Sequence, residues 1–351
     1  MSATPSWSAA CWAAGHGNAN DRDGIRAPAS ARQGRRFGVA NGTPQVCKVF
    51  FVHYAPSRTT PRLLALSDLH VAFPENRKII EDLRPDAEGD WLLVAGDVGE
   101  LFADVEWALR TLSSRFAKLV WVPGNHELWT HREDPVQVRG EERYRLLVEL
   151  CRSLGIVTPE DPYPVWDGPG GAVTIVPLFI LYDYSFLPDG ALSKEQGLAL
   201  AHEAGIVCTD EMLLHPDPYP GREAWCQARI AVTERRLAEL EPGLPVIFVN
   251  HYPLVREPTR ILRYPEFAQW CGTTRTHDWH VRFNAAAVVY GHLHIPRVTW
   301  HDGVRFVEVS IGYPREWRRR VARLDIPQPG VPRQILPVAT DGDQGLGVGQ
   351  W

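Results

Sequence analysis

The segment VVYGHLHIP, residues 288–296, begins with an apolar run and then places two histidines one residue apart behind a glycine. Val288 and Val289 suit a buried strand, whereas His292 and His294 are poorly suited to a core. Residues i and i+2 of an extended chain lie on the same side, so both imidazoles can reach one metal ion or two neighbouring ions. A bare H-x-H pair is common, however. It becomes informative only if other parts of the chain supply similar ligands.

Apolar runs that end abruptly in polar residues recur at four further places in the chain. These runs cover residues 63–66, 92–95, 119–122 and 246–249. Fully apolar runs of this length predict strands that are buried on both faces. Stretches with helical spacing lie between them, at residues 76–83, 104–116, 141–154 and 222–240. Strands that alternate with helices predict a layered α/β fold.

Side chains that bind metals follow each of the five predicted strands. Because ligands of α/β folds collect at the carboxyl ends of strands, we expect these side chains to lie together. Turn formation accounts for each residue separately, but it does not explain why four of the seven are histidines. The seven residues are Asp68, His70, Asp97, Asn125, His251, His292 and His294.

The chemical types in this set indicate metal-dependent hydrolysis. Carboxylate, amide oxygen and imidazole together favour Mn, Fe, Zn or Co over Ca. Seven ligands exceed the needs of one open catalytic site and suit two ions that share a carboxylate. Two ions about 3.5 to 4 Å apart can bridge a hydroxide and stabilise the attacking and leaving oxygens of a phosphate ester. Glycines at 96, 124 and 291 directly precede three of the ligands and predict a close approach of the backbone.

The order of the motifs resembles that of the calcineurin-like metallophosphoesterases. The family pattern D-x-H, G-D, G-N-H-[D/E], H and G-H-x-H occurs here as DLH, GD, GNHE, NH and GHLH, within residues 62–312. The resemblance implies a four-layer α/β/β/α sandwich and a dinuclear metal centre bridged by Asp97. It divides the other ligands into two groups, Asp68, His70 and His294 for one ion and Asn125, His251 and His292 for the other.

The resemblance also implies that His126 faces the substrate rather than the metals. It would stabilise phosphoryl oxygens or protonate the leaving group. Glu127 either pairs with His126 or supports neighbouring residues. Arg256 and Arg275 lie in a segment rich in arginine and aromatic residues after His251, and we regard both as candidates to bind a phosphate or a second anionic group. A solvated charged surface explains either arginine equally well.

Composition and charge bound the class of protein. The chain has 351 residues, of which 44% are hydrophobic and 23% charged, as in ordinary globular proteins. The net charge of -5 disfavours a general polyanion binder. No apolar run reaches the length of about 18 residues that a membrane span needs. The six scattered cysteines form no C-x-x-C pair and predict reduced thiols in a cytoplasmic protein.

The predicted boundaries divide the chain into three parts. Residues 1–60 lack apolar periodicity and predict a poorly ordered extension, while 61–338 form the phosphoesterase domain. Within this domain, 158–221 is rich in Pro and Tyr and is a candidate lid or a plain surface loop. Residues 318–337 begin with basic residues and are interpreted as a closing strand and a linker. Residues 339–351 are expected to be a loose tail.

We therefore expect a cytoplasmic enzyme that uses two divalent ions (Mn, Fe or Zn) to cleave a phosphate ester of a small molecule or nucleotide. A phosphodiesterase that acts on a cyclic nucleotide or nucleic acid is nearly as well supported, because the motifs do not separate monoesters from diesters. A protein phosphatase is disfavoured, since the sequence alone identifies no docking surface. A non-catalytic scaffold of the same fold is least favoured, since no ligand is missing. The sequence leaves the substrate and the oligomeric state open.

Overall fold

The computed structural model describes residues 60–241, 243–324 and 330–338. Nearly all of the predicted N-terminal extension and the whole predicted tail, 339–351, lie outside the described residues. Within the described part of the chain, no helix combines the length and the apolar composition that a membrane crossing requires.

The described residues form ten strands and nine α-helices. The strands are β1 (Leu63–Leu66), β2 (Trp91–Val94), β3 (Lys118–Trp121), β4 (Val165–Trp166), β5 (Val173–Pro177), β6 (Val246–Val249), β7 (Ala285–Tyr290), β8 (Val298–His301), β9 (Val304–Glu308) and β10 (Arg333–Leu336). The helices are α1 (Pro74–Asp82), α2 (Phe102–Ser113), α3 (Asn125–Leu128), α4 (Gly140–Ser153), α5 (Lys194–Glu203), α6 (Asp210–Leu213), α7 (Arg222–Ala238), α8 (Trp279–Arg282) and α9 (Pro314–Leu324). The five predicted strands are β1, β2, β3, β6 and β7, and the predicted helical stretches are α1, α2, α4 and α7.

The strands build two sheets. The first has the order β10-β1-β2-β3 and the second has the order β4-β5-β6-β7-β9-β8. Strands β1, β2 and β3 are parallel to one another, as are β5, β6, β7 and β9, and the edge strands β10, β4 and β8 are antiparallel. The carboxyl ends of all seven parallel strands can therefore carry ligands.

The core has two parts because successive residues of a strand point to opposite faces. One set of residues from both sheets packs between the sheets and includes Leu63, Ala65, Leu93, Ile247 and Val249. The other set packs with residues of the helices and includes Leu64, Leu66, Val94, Phe248 and Val288. Helices therefore cover the outer faces of two stacked sheets, and the predicted four-layer α/β/β/α sandwich is confirmed.

The candidate lid at 158–221 is partly a piece of the core. It contains β5, whose five residues are buried and which pairs in parallel with β6 inside the second sheet. An apolar strand between two neighbours cannot leave the sheet without exposing its side chains and breaking its hydrogen bonds. Strand β5 is therefore excluded from any lid, and a lid in the remaining residues of 158–221 stays a prediction.

The basic segment at 318–337 differs from its interpretation as a strand and a linker. Its start is the second half of α9, whereas β10 is the predicted closing strand and pairs with β1. The helix forms because Glu316, Trp317 and Arg320 recur at spacings of three and four residues. All three are directed inward, onto His294, Asn76 and the backbone.

The cysteines in the described residues agree with the prediction of reduced thiols. Cys151, Cys226 and Cys271 are buried and free, and Cys208 is buried. The other two, Cys11 and Cys47, lie outside the described residues.

Candidate metal centre

The carboxyl ends of the parallel strands of both sheets meet at one edge of the sandwich. The backbone N–H of Asp68, after β1, donates to the carbonyl of Gly96, after β2, at 2.9 Å. Nδ1 of His251, after β6 of the second sheet, donates to the carbonyl of Ala95 in the first sheet at 2.8 Å. The first bond joins two loops of the first sheet, and the second joins the two sheets where the predicted ligands follow their strands.

The first predicted ligand group comes together around Asp68, His70 and His294. Nε2 of His294 lies 2.9 Å from Oδ1 of Asp68 and 3.3 Å from Nε2 of His70. Oδ2 of Asp97 lies 4.0 Å from Nε2 of His70. All of these atoms belong to buried or nearly buried side chains, so water competes weakly for them.

The second predicted group comes together around Asn125, His251 and His292. Nε2 of His251 lies 3.2 Å from Oδ1 of Asn125, 3.2 Å from Nδ1 of His292 and 3.4 Å from Oδ2 of Asp97. The same oxygen of Asp97 thus faces both groups. This is the position that a bridging carboxylate requires.

Both groups fit a divalent metal ion. Ligand atoms bound at about 2.0 to 2.2 Å around one ion are about 3 to 3.5 Å from one another. The observed separations are close to this range. In each of two groups, the ligand atoms lie within 4.8 Å of one another; the groups are Asp68, His70 and His294, and Asp97, His251 and His292. Two buried carboxylates supply negative charge for the ions. The arrangement is therefore compatible with divalent metal binding.

The backbone at this edge is held in an uncommon conformation. Left-handed φ values between 41° and 69° occur at Asp68, His70, Asp97, His292 and His294. Each costs about 1 to 3 kcal/mol in a residue other than glycine, and such strain clusters at functional sites. The predicted role of the glycines is confirmed at all three positions, since a Cβ atom at Gly96 would collide with the backbone of Gly124 and Nδ1 of His251. A Cβ atom at Gly124 would collide with Oδ1 of Asp97, and one at Gly291 would collide with Ser67 and Asp68.

A further layer of hydrogen bonds fixes the ligand side chains. Oγ of Ser67 and Oγ of Ser310 donate to Oδ2 of Asp68 at 2.5 and 2.6 Å, which leaves Oδ1 toward His294. Oε2 of Glu316 lies 2.7 Å from Nδ1 of His294 and so directs its Nε2 toward the centre. Such contacts orient metal ligands and increase their basicity. Sequence reasoning did not identify Ser67, Ser310 or Glu316 as parts of the site.

His126 is paired with a carboxylate that sequence reasoning also missed. Its Nδ1 lies 3.0 Å from Oε1 of Glu100, and its Nε2 lies 3.6 Å from Oδ2 of Asp97. The ring also packs on Trp129, with 3.7 Å between the centroids. Glu100 follows Asp97 by three residues in the same strand-end loop, GDVGE. Its position three residues after a predicted ligand is the feature from which the sequence could have identified Glu100.

Glu127 does not pair with His126. Its carboxylate accepts backbone hydrogen bonds from Asp97, Val98 and Gly124 at 2.9 to 3.0 Å. Burial, reinforced by the charge of Asp97, raises the pKa of Glu127 to about 7. Glu127 thus ties the loops after β2 and β3 together, which corresponds to the second role predicted for it.

The charges of the carboxylates determine which imidazoles hold protons before a metal binds. Burial alone would lower the pKa of His251, but the charge of Asp97 raises it to about 9. Burial also opposes protonation of His294, yet Glu316 and Asp68 raise its pKa well above the ordinary value. Burial, together with the charge of His251, lowers the pKa of His292 to about 3. Metal ions compete with protons for these imidazoles, because a histidine must be deprotonated at the nitrogen that binds the metal.

The two candidate arginines lie outside this cluster of contacts. Nη2 of Arg256 donates to the carbonyl of Leu187 at 2.5 Å and lies 3.6 Å from the exposed carboxylate of Asp189. Arg275 is exposed and lies in a 3-10 helix at Thr274–Thr276. Their role in binding substrate stays a prediction.

Comparison with known proteins decides the family. A sequence model of the calcineurin-like phosphoesterases matches residues 61–296. The chain belongs to this family. It is 58% identical over 260 residues to the [acyl-carrier-protein] phosphodiesterase PptH of Mycobacterium tuberculosis, in an alignment that covers 74% of this chain and 80% of the relative. The crystal structure of the phosphopantetheinyl hydrolase PptH from Mycobacterium tuberculosis superposes with a TM-score of 0.76 at 56% identity, and covers 80% of this chain and 97% of that chain.

Family membership and this relative establish the reaction class. The protein is a hydrolase that acts on phosphate esters, as the motifs predicted. The alternative of a non-catalytic scaffold is set aside, since every predicted ligand is present and the relative is named as an enzyme.

Proposed function

We propose that the protein is a phosphodiesterase that releases the phosphopantetheine arm of an acyl carrier protein. The observation that carries this proposal is the 58% identity to a relative whose name states an acyl-carrier-protein phosphodiesterase activity. The substrate is then a diester attached to a protein. This differs from the small molecule or nucleotide that the motifs favoured.

The reaction consumes one water molecule. In a holo carrier protein, a phosphodiester joins a serine side chain to the pantetheine arm. Water adds at phosphorus, the bond between phosphorus and the serine oxygen breaks, and the products are the apo carrier protein and free phosphopantetheine. The departing serine oxygen is strongly basic, so a proton donor must stand beside it.

The ligand groups support two divalent ions. Asp97 would be shared, with Asp68, His70 and His294 completing one site and Asn125, His251 and His292 completing the other. Divalent ions bound there would act as Lewis acids toward the phosphoryl oxygens and lower the pKa of water. Manganese, iron and zinc all suit this ligand set.

His126 is the proposed proton donor to the serine oxygen. The carboxylate of Glu100 holds Nδ1 of the ring, and Nε2 is directed toward Asp97 and the ligand groups. Hydrogen bonds from His126 and His70 keep the pKa of Glu100 well below its ordinary value even though burial opposes ionisation. An ionised Glu100 favours the protonated ring, which is the form that donates a proton.

The test measures the intact mass of a holo carrier protein after incubation with the purified enzyme and Mn, Fe or Zn. The expected result is the loss of one phosphopantetheine arm and the appearance of the apo protein. His126→Ala is the matched inactive control, because it leaves the metal ligands in place. Phosphomonoesters, cyclic nucleotides and short nucleic acids are assayed in parallel under the same conditions.

Two outcomes would count against the proposal. If the holo carrier protein stays intact while a nucleotide or a small monoester is cleaved rapidly, the substrate is the small molecule or nucleotide that the motifs favoured. Loss of activity on every ester in the presence of each metal would contradict the site itself.

A cytoplasmic location is part of the same proposal. It is supported by the buried free thiols of Cys151, Cys226 and Cys271, which are typical of proteins from reducing compartments.

A further inference from the structure

We propose that the exposed arginine face of α9 is the docking surface for an acidic face of the carrier protein. This inference rests on the proposed function, because it concerns how a protein substrate reaches the same site. The surface is defined by Arg315, Arg318 and Arg319, which are exposed on the helix that borders the ligand groups.

The charge of α9 is opposite to that of the rest of the protein. Its eleven residues contain five arginines and one glutamate, a net charge of +4, while the whole chain carries -5, so the remainder carries -9. A local positive surface on an acidic protein attracts anionic partners to one place and repels them elsewhere.

The helix separates its charges by face. On the inner face, Glu316 contacts His294 and Arg320 donates to the carbonyl of His294 at 2.9 Å. Residues 315, 318 and 319 lie about 100° or more around the helix from Arg320, because successive residues of an α-helix turn by about 100°. The outward arginines are thus not the ones that build the site.

The exposed face adjoins the site through one aromatic ring. The guanidinium of Arg315 lies 5.6 Å from the centroid of the Tyr313 ring. Tyr313 in turn stacks on His70, with 4.4 Å between centroids, and lies 4.8 Å from the ring of His294. A protein bound to the arginine face would place its modified serine close to the ligand groups.

Folding alone does not account for these arginines. Arg315 lies in the first turn, where the helix dipole disfavours a positive charge, and Arg319 lies four residues later, where like charges repel. In the described part of the chain neither of them forms an ion pair, whereas Arg318 pairs with Glu75. Guanidinium groups without an ion-pair partner beside the site can bind the carboxylates of a partner protein in a bidentate manner.

An acidic protein fits this surface better than a nucleic acid. Three exposed arginines at the site make a small patch, and the negative charge of the remaining surface opposes the approach of a long polyanion. A carrier protein needs only one compact contact beside its modified serine. The acidic protein is therefore the occupant to which we commit.

The test compares the wild-type enzyme with the variant Arg315→Glu/Arg319→Glu on two substrates. For an acidic holo carrier protein at low ionic strength, we expect kcat/KM to fall by about tenfold or more, mainly through KM, and to become less sensitive to added salt. For bis(p-nitrophenyl) phosphate, a small diester, we expect kcat to remain unchanged. Arg319→Glu is also made alone, because Arg315 contacts Tyr313, and it should lower kcat/KM for the carrier protein by a smaller factor. Arg315→Lys/Arg319→Lys should fall between the wild-type enzyme and the charge-reversed variant, because lysine keeps the positive charge but not the bidentate geometry.

The control variant is Arg110→Glu/Arg235→Glu. Both arginines are exposed, in the last turns of α2 and α7, which lead into the amino ends of β3 and β6, away from the ligands. It changes the net charge by the same amount and should leave both substrates unaffected. If it lowers kcat/KM for the carrier protein as much as the α9 variant does, net charge rather than this surface is responsible, and the inference is overturned.

The remaining outcomes separate the two proposals. If wild-type enzyme cleaves the carrier protein and the α9 variant cleaves it equally well, the docking surface is wrong and the function stands. If wild-type enzyme leaves the carrier protein intact, both fail. If the α9 variant loses binding to a single-stranded oligonucleotide instead, the partner is a nucleic acid and the inference is wrong.

Discussion

Nδ2 of Asn125 donates a 2.9 Å hydrogen bond to Oδ1 of Asp210, which leaves the amide oxygen of Asn125 3.2 Å from Nε2 of His251. The same carboxylate oxygen accepts a 2.6 Å hydrogen bond from Nε1 of Trp129, the residue that packs on His126. Asp210 is fully buried. One carboxylate therefore orients a predicted metal ligand and also supports the ring against the predicted proton donor.

Replacing Asp210 with Ala should weaken metal binding in the group that contains Asn125. Without its acceptor, the amide of Asn125 loses the bond that selects oxygen rather than nitrogen for the metal, and we expect an affinity lower by about 10- to 100-fold. Metal titration of the apo protein measures this. Asp189→Ala, an exposed residue before α5, is the control. Unchanged affinity in a folded Asp210→Ala protein would show that Asn125 orients itself.

The pair of Glu100 and His126 should behave as one unit. We expect His126→Ala to lower turnover by about a hundredfold or more, the scale of a general acid. Glu100→Gln should lower turnover because the ring loses the charge that stabilises its protonated form. The double variant should be little worse than His126→Ala alone, since both changes remove the same contribution.

Metal content distinguishes proton donation by His126 and Glu100 from direct binding of a metal ion by either residue. Oε1 of Glu100 lies 3.8 Å from Nδ1 of His70, and the carboxylate, His70 and His126 form a further compact group of potential ligands. Elemental analysis should show the same metal content in Glu100→Gln, His126→Ala and the control Glu106→Gln, a half-exposed residue of α2 that pairs with Arg110. A lost ion in either of the first two would make that residue a ligand.

The sequence predicted the part of the site that follows from strand ends. Asp68, Asp97 and His251 each come directly after an apolar run, so the local pattern and the rule for parallel sheets locate them together. Asp210 and Glu316 follow no such pattern. Asp210 reaches Asn125 across 85 positions of sequence, and that contact exists only because the chain after β5 packs back over the loop that follows β3.

The face of α9 shows a different reason why sequence reasoning fell short. A run of arginines carries little apolar periodicity, so the segment resembled a basic linker. Its inward contacts use Glu316, Trp317 and Arg320, two of which are charged residues that the hydrophobic pattern does not count. The substrate was also out of reach, because the ligand motifs describe the reacting phosphate and not the group attached to it.

The contact between Asp90 and Arg62 stabilises the starts of β1 and β2, the strands that precede the predicted ligands Asp68 and Asp97. Asp90 lies directly before β2, is fully buried, and accepts hydrogen bonds from the backbone and guanidinium of Arg62, directly before β1, at 2.8 and 2.6 Å. Burial would raise the pKa of Asp90, but the bonds from Arg62 hold it below the ordinary value. Its stabilising contribution is therefore present at neutral pH and is lost as the pH falls below about 4 toward the lowered pKa.

Replacing Asp90 with Asn should lower the free energy of unfolding by about 1 to 3 kcal/mol at neutral pH. The difference from the wild-type protein should shrink as the pH falls below about 4, since the carboxylate then becomes neutral in the unfolded state and, below its lowered pKa, in the folded state as well. Urea denaturation across this range measures it. The exposed Asp82→Asn, which removes an i,i+4 ion pair with Lys78, should cost less than about 1 kcal/mol at any pH. A constant Asp90→Asn difference at all pH values would contradict this account.

The two histidines of the G-H-L-H motif should not be equivalent. His292→Ala should weaken the ion shared with Asn125 and His251, whereas His294→Ala should weaken the ion shared with Asp68 and His70. Anomalous diffraction from metal-loaded crystals distinguishes the two positions. His280→Ala is a suitable control, because this buried histidine contacts Asp302 instead of the ligand groups.

Asp97→Ala should damage both positions, because Oδ2 of Asp97 faces His70 at 4.0 Å in one group and His251 at 3.4 Å in the other. Two divalent cations a few ångströms apart repel strongly unless an anion lies between them, so loss of the shared carboxylate removes a ligand from each ion and the charge that separates them. We expect both anomalous peaks to disappear in this variant and one to remain in each histidine variant. Loss of the same single peak in His292→Ala and His294→Ala would mean that the pair serves one ion, and the division of the ligands into two groups would be wrong.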